Sequence, residues 1–215
     1  MTNMSNPSTA RLLKEFQEIL KNPTEGIEAS PNNDNLKNWT AVIFGPENTP
    51  YEDGIFILKM VFSDLYPGKP PEVRFVSEMF HPNVYSKEEG SKHSPDMTGI
   101  ICLDIFSSAW SPALGITSIL LSIRSLLDSP NPHALRTPNA STALAGGPIR
   151  VPRGNRYNKY KYSLTDDPSE IYKSMKLYSA ANPEAARLYL RNDGSYAEKV
   201  RIIVDKSIEA EEKQH

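Results

Sequence analysis

The chain has one cysteine, Cys102, so it can form no internal disulfide. A lone cysteine points to a reducing compartment, cytosol or nucleus. Cysteine is so scarce, and the four histidines so scattered, that no zinc-ligand spacing appears. No apolar run approaches the ~18 residues of a membrane span. Residues 1–7 carry neither a basic region nor an apolar stretch, so no secretory signal is expected. Charge of one sign is also lacking: 24 basic and 26 acidic residues give a net charge of -2. Nothing global then demands nucleic acid or an anionic membrane. Asn139-Ala-Ser141 fits a glycosylation acceptor but, without secretion, reads as chance.

What is present is an apolar fraction of 39% in 215 residues, enough for one domain with a good core, or a domain plus an extension. Leu12, Leu13, Phe16, Ile19 and Leu20 recur at helical spacing. They predict a helix capped by Ser8 or Thr9 and ended by Asn22-Pro23. Short β-rich runs follow at 27–29, 39–44, 55–62 and 73–76, with turn signals at Gly45-Pro46 and Asp53-Gly54. This spacing predicts an antiparallel meander. Residues 116–127 are apolar on most faces and predict a helix lying across the sheet. Pro183 to Glu212 reads as one or two helices, broken around Asn192-Asp193-Gly194, with a charged tail from Glu209 that frays. The order predicts an α+β fold.

On its hexapeptide alone, Cys102 between Ile101 and Leu103 reads as a buried, inert residue, because free cysteine packs as a small hydrophobe. The flanking motifs change that. Trp39 to Pro46, Tyr66-Pro67, Lys69-Pro-Pro71, Val73-Arg-Phe75, Met79 to Tyr85 with His81-Pro-Asn83, Gly99-Ile-Ile-Cys-Leu-Asp-Ile105, Trp110-Ser-Pro112 and Leu126 to Pro132 follow in one order. Together they resemble the ubiquitin-conjugating enzyme family, particularly its branch serving DNA repair and histone modification. The resemblance covers about three quarters of the chain and resumes at Ser179 to Tyr189.

The resemblance implies the conjugating-enzyme fold and an acyl transfer. Cys102 would accept the C-terminus of ubiquitin from the activating enzyme as a thioester. A RING-type ligase would direct its transfer to lysines of protein substrates. A thiolate suits both steps, since its thioester stays open to attack by an amine. A free thiol, with a pKa of about 8.5, is partly ionised at neutral pH and needs no dedicated base. No metal or organic cofactor is implied; ATP is consumed by the activating enzyme.

For Asn83 two roles stand: donor to the oxyanion of the tetrahedral intermediate, or holder of the active-site loop. His81 reads as a loop-fixing hydrogen-bond donor. Asp104 lies on the side of Cys102 if the strand-like alternation continues, and is otherwise a solvated or capping carboxylate. The position that tunes the incoming lysine falls on Ser179 or on Ala134, neither a carboxylate, with Ser179 the better match. Trp110, Ser111, Pro112 and Ala113, with the partner loop Tyr66 to Pro71, resemble the ligase-contacting loops. Gly68 stands where some relatives place an aromatic anchor. Arg11 and Lys14 would add contacts to ligase and activating enzyme, or form a solvated face. Leu121, with Ile119 and Ser122, resembles the surface for donor ubiquitin; Leu121 reads equally as core.

Two stretches depart from the family. Ser86 to Thr98 intervene where the family has only a few residues, a short insertion at about 87–97 carrying His93. Residues 134–178 form a second insertion, between a catalytic core of 1–133 and 179–215. The second insertion holds 8 basic and 3 acidic residues, net +5, leaving -7 on the rest. It opens with a small, polar stretch, 137–148, and closes with a short helix over 166–177. Its middle, 150–162, interleaves arginines and lysines with Tyr157, Tyr160 and Tyr162. That pattern fits packing on the core, an acidic protein surface, or nucleic acid. Three rival functions stand beside the conjugating enzyme: a non-catalytic ubiquitin-binding variant, an enzyme that conjugates a different ubiquitin-like modifier, and a nucleic-acid-binding module carried by residues 134–178.

Overall fold

A computed structural model describes residues 6–33, 35–87, 97–132 and 180–213. Helix α1 spans Pro7–Lys21. Its cap is Asn6, not Ser8 or Thr9: the Asn6 side chain accepts from Ser8 N at 2.9 Å. Pro7 decides this, because proline at the first helical position loses no needed N–H. Ser8 is buried and instead donates its hydroxyl to Ser63 O at 3.0 Å.

Four strands follow: β1 Ile27–Asn32, β2 Asn35–Phe44, β3 Ile55–Val61 and β4 Glu72–Phe75. They pair antiparallel in chain order, the expected meander. β2 begins four residues before the apolar run at Trp39, because Asn35 and Asn38 pair with Asn32 and Val61 whatever their polarity. Alternation gives one face to the core: Trp39, Ala41 and Ile43 from β2 meet Phe56, Leu58 and Met60 from β3. Trp39 is fully buried, donates its indole N–H to Leu36 O at 2.8 Å, and meets the Phe16 ring edge-on at 5.6 Å. That packing seats α1 on the sheet.

Helix α2, Ile116–Asp128, packs on β1 and β2. It is more one-sided than its composition suggests. Ile116, Ile119, Leu120, Ile123, Leu126 and Leu127 face the core, while Leu121 is 40% exposed. Burying those six side chains contributes roughly 10 kcal/mol before chain entropy is counted. Helices α3, Pro183–Arg191, and α4, Ser195–Glu212, are separated at Asn192 to Gly194, as expected. Asn182 caps α3 through Ala185 N at 3.0 Å. α4 packs on β3, and Ser207 Oγ accepts from Ile55 N at 3.0 Å. The tail expected to fray is helical through Glu212, with Lys213 reaching back to Glu209 at 3.8 Å.

Candidate active site

Beyond β4 the chain reaches His81, which is fully buried. Its Nε2 donates to Leu126 O at 3.0 Å, and its Nδ1 accepts from Asn83 N at 2.9 Å. Both nitrogens are thus committed by one neutral tautomer. Burial pushes the pKa down to about 4 from 6.5, against the opposing pull of the Leu126 carbonyl. Such a group fixes the loop and is placed for no proton transfer with solvent.

The sign of the pH dependence follows. The unfolded histidine binds a proton near 6.5, the folded one only near 4. Its stabilisation is complete above pH 6.5 and is lost as pH falls towards 4, about 3 kcal/mol in all. Urea unfolding between pH 7.5 and 4.5 should show this slope in the wild type. His81→Gln, less stable at pH 7.5, should lose markedly less. Equal slopes would remove His81 from the account.

Asn83 follows, 1% exposed. Its side chain clamps the backbone of Asn131: Nδ2 donates to Asn131 O at 2.8 Å, and Oδ1 accepts from Asn131 N at 2.9 Å. Its own carbonyl accepts from Cys102 N at 2.7 Å, and Pro82 O accepts from Asn182 N at 3.1 Å. The tripeptide therefore ties together the cysteine segment, the loop after α2 and the start of α3.

Cys102 ends a short extended segment. Ile100 and Ile101 bridge to Arg74 and Val84. Gly99 precedes them at φ 78°, and a Cβ there would meet Phe75 O at 2.0 Å, so only glycine fits. Cys102 is 7% exposed and packs with Tyr85 and Ala181, flanked by Met97 and Ile100. Extended structure stops at Leu103. Asp104 opens a 3-10 turn to Phe106 and is exposed, so the strand-like alternation does not continue to it. Upstream, Tyr51 donates to Phe80 O at 2.8 Å, which leaves Tyr196 to donate across their 2.6 Å separation. α4 thereby braces the residue before His81.

A second cluster forms around Glu15 of α1. Its Oε1 accepts from the Tyr66 hydroxyl at 2.7 Å and from Arg11; its Oε2 accepts from Ile116 N at 2.7 Å. Arg11 also reaches Leu114 O at 3.5 Å. Trp110 Nε1 donates to Pro67 O at 2.9 Å, joining two loops. Ser111, Pro112, Ala113 and Lys14 are exposed beside them.

The ubiquitin-conjugating enzyme family matches residues 11–146, more than half the chain. The chain belongs to the ubiquitin-conjugating enzyme family. It is 46% identical over 131 residues to ubiquitin-conjugating enzyme E2 1 of Caenorhabditis elegans, covering 61% of this chain and 62% of that protein. It is 47% identical over 128 residues to ubiquitin-conjugating enzyme E2 2 of Candida albicans, covering 60% and 65%. It is 41% identical over 162 residues to ubiquitin-conjugating enzyme E2 2 of Fusarium solani, covering 75% and 91%. The chain thus spans less than two thirds of the length of the first two relatives.

Within this family member, Cys102, His81 and Asn83 are brought together; apart from them, Arg11 is bonded to Glu15 and Trp110 to Pro67. Leu121 is surface rather than core, whereas Ile119 is fully buried and leaves the expected donor surface. The expectations on Ser179, His93 and its charged neighbours, and residues 134–178 with their arginines, tyrosines and helix fall outside the described residues. Among the described residues no group of histidines, cysteines or carboxylates could hold a metal, and no helix is long and apolar enough to cross a membrane.

Several bonded residues were given no role in the sequence reading, among them Asn131, Glu15, Tyr51 and Tyr196. Asn131 had no local signal. Glu15 had a partial one, its spacing of four from Arg11, but its other partners lie 51 and 101 positions away.

Proposed function

We propose that this chain carries ubiquitin on Cys102 and passes it to lysine. The observation that carries the reading is the bonding of the Cys102 segment to the buried His81-Pro-Asn83 turn, within the family match. The Cys102 thiolate attacks the thioester carbonyl that joins ubiquitin to the activating enzyme, and expels that enzyme's thiolate. A neutral substrate amine then attacks the new thioester, loses one proton to solvent as the amide forms, and returns the thiolate to Cys102. The reading places Asn83 and His81 as holders of the turn. It gives Asp104 and Ser179 the surroundings of the incoming lysine. Arg11, Lys14, Pro67, Trp110, Ser111 and Pro112 face the activating enzyme and a RING-type ligase.

The motif order supports the DNA-repair and histone branch, and the single cysteine supports cytosol or nucleus. A core of 1–133 and 179–215, with insertions at about 87–97 and at 134–178, accounts for the family pattern. The basic, tyrosine-rich insertion is a contact for the core, an acidic protein or nucleic acid, and salt-dependent binding separates the last.

The test is incubation with activating enzyme, ATP and ubiquitin, followed by gels with and without reducing agent. A thiol-sensitive adduct of one ubiquitin, absent in Cys102→Ala, is expected. An adduct only with another ubiquitin-like modifier would reassign the cargo. No adduct with any modifier would leave a non-catalytic variant, a reading to which the near-burial of Cys102 lends some weight.

Leu121 gives a further prediction. Leu121 is 40% exposed, so Leu121→Asp should lower stability by only about 1–2 kcal/mol and leave the chain folded. Ligase-stimulated transfer should slow roughly tenfold, because a charge would replace an apolar side chain that the bound donor covers. Unchanged transfer from the charged variant would take donor ubiquitin off this face.

A further inference from the structure

The geometry points to Glu15 as the positioning residue for the surface on which the activating enzyme and ligase dock. This inference rests on the proposed conjugating function. One carboxylate, 12% exposed, accepts bonds from Arg11 on its own helix and from two other stretches of chain, Tyr66 in the loop after β3 and Ile116 at the start of α2.

The third bond has a particular cause. α2 begins after Gly115, which offers no side chain as a cap. The first amides of a helix need acceptors and favour negative charge. Glu15 supplies both from a neighbouring helix. A Cβ on Gly115 would come within 3.2 Å of Glu15 Oε2, so the bare glycine permits the approach.

The other two bonds aim the loops. Burial, then the bond to Glu15, raises the Tyr66 hydroxyl well above its ordinary pKa, so it remains a donor. The same carboxylate raises Arg11 further. Tyr66 precedes Pro67, whose carbonyl holds the Trp110 indole. The exposed tips Ser111, Pro112 and Ala113 lie between Trp110 and the capped α2 start. Removing the carboxylate frees the Tyr66 loop and the α2 start at once, releases Arg11, and leaves the Cys102 segment untouched, because these three bonds do not run to it. Docking then costs the ordering that Glu15 now provides in advance.

The test uses the full chain with Glu15→Ala, Glu15→Gln and Tyr66→Phe. Charging rate is measured against concentration of this protein at fixed activating enzyme. Discharge of the purified thioester to free lysine is measured without ligase. For Glu15→Ala, KM in charging should rise roughly ten- to a hundredfold, with kcat and ligase-free discharge within about twofold. Glu15→Gln keeps the shape but only one acceptor oxygen, and Tyr66→Phe removes one donor. Both should show the same split at smaller size, and they carry the test if Glu15→Ala does not fold. Folded variants with unchanged KM would overturn the inference. So would a fall in kcat or in ligase-free discharge at unchanged KM. A wild type that takes no ubiquitin would instead overturn the conjugating function and this inference with it. A charged wild type whose variants keep their KM would overturn this inference alone.

Discussion

Cys102→Ser is expected to form an adduct with ubiquitin that survives reducing agent and passes ubiquitin to lysine at least a hundredfold more slowly, about 3 kcal/mol of barrier. An alcohol is the weaker nucleophile at neutral pH, and its ester is more inert to amines than a thioester. Charging should therefore slow, and the product should accumulate. The fold should tolerate the change. Cys102 packs with Tyr85 and Ala181 rather than in the main core. Shortening the side chain and burying a hydroxyl should cost about 1 kcal/mol. A single-turnover gel series, with and without thiol, followed by chase with free lysine, reads both effects. Wild-type discharge from the serine variant, or an adduct still cleaved by thiol, would take the nucleophile away from residue 102. No other cysteine in the chain is available to replace it.

Asn83→Ala is expected to lower stability by about 2–4 kcal/mol, because it removes both bonds from the amide to the Asn131 backbone and empties the buried space that the amide fills. For a chain of this size that is a fall of about 5–15 °C in Tm. Asn83→Asp keeps an acceptor for Asn131 N but turns a second oxygen towards Asn131 O. It should be nearly as destabilising. Well below Tm, ligase-free discharge from either charged variant should fall less than about tenfold, since the two bonds that the amide makes belong to the loop. The oxyanion role would draw on the remaining Nδ2 hydrogen. Unchanged Tm with a fall in discharge of a hundredfold or more would establish that role instead.

Which of these features could be read from the chain depends on the range of the interaction. The strands show where apolar residues alternate, as at Trp39 to Phe44. They do not show where pairing continues through polar residues, as at Asn35 to Asn38. α1 was legible but its cap was not, because Ser8 and Thr9 are as good a local signal as Asn6 until Pro7 is weighed. The exposed side of α2 was hidden by composition, since Leu121 differs from its buried neighbours only in its angle around the axis. At the site, Cys102 and His81-Pro-Asn83 were visible as ordered motifs. The asparagine clamp and the Glu15 hub depend on partners far along the chain, which local pattern does not encode.

Asn131 and Asn182 are far apart in sequence, yet they are held by adjacent residues, Asn83 and Pro82. The chain thus departs from and returns to one spot. Each anchor is fixed by its own bond to the His81-Pro-Asn83 turn, so the turn holds both without calling on the chain between them. The two anchors hold both ends of the intervening chain at one place in the topology, beside the thiol.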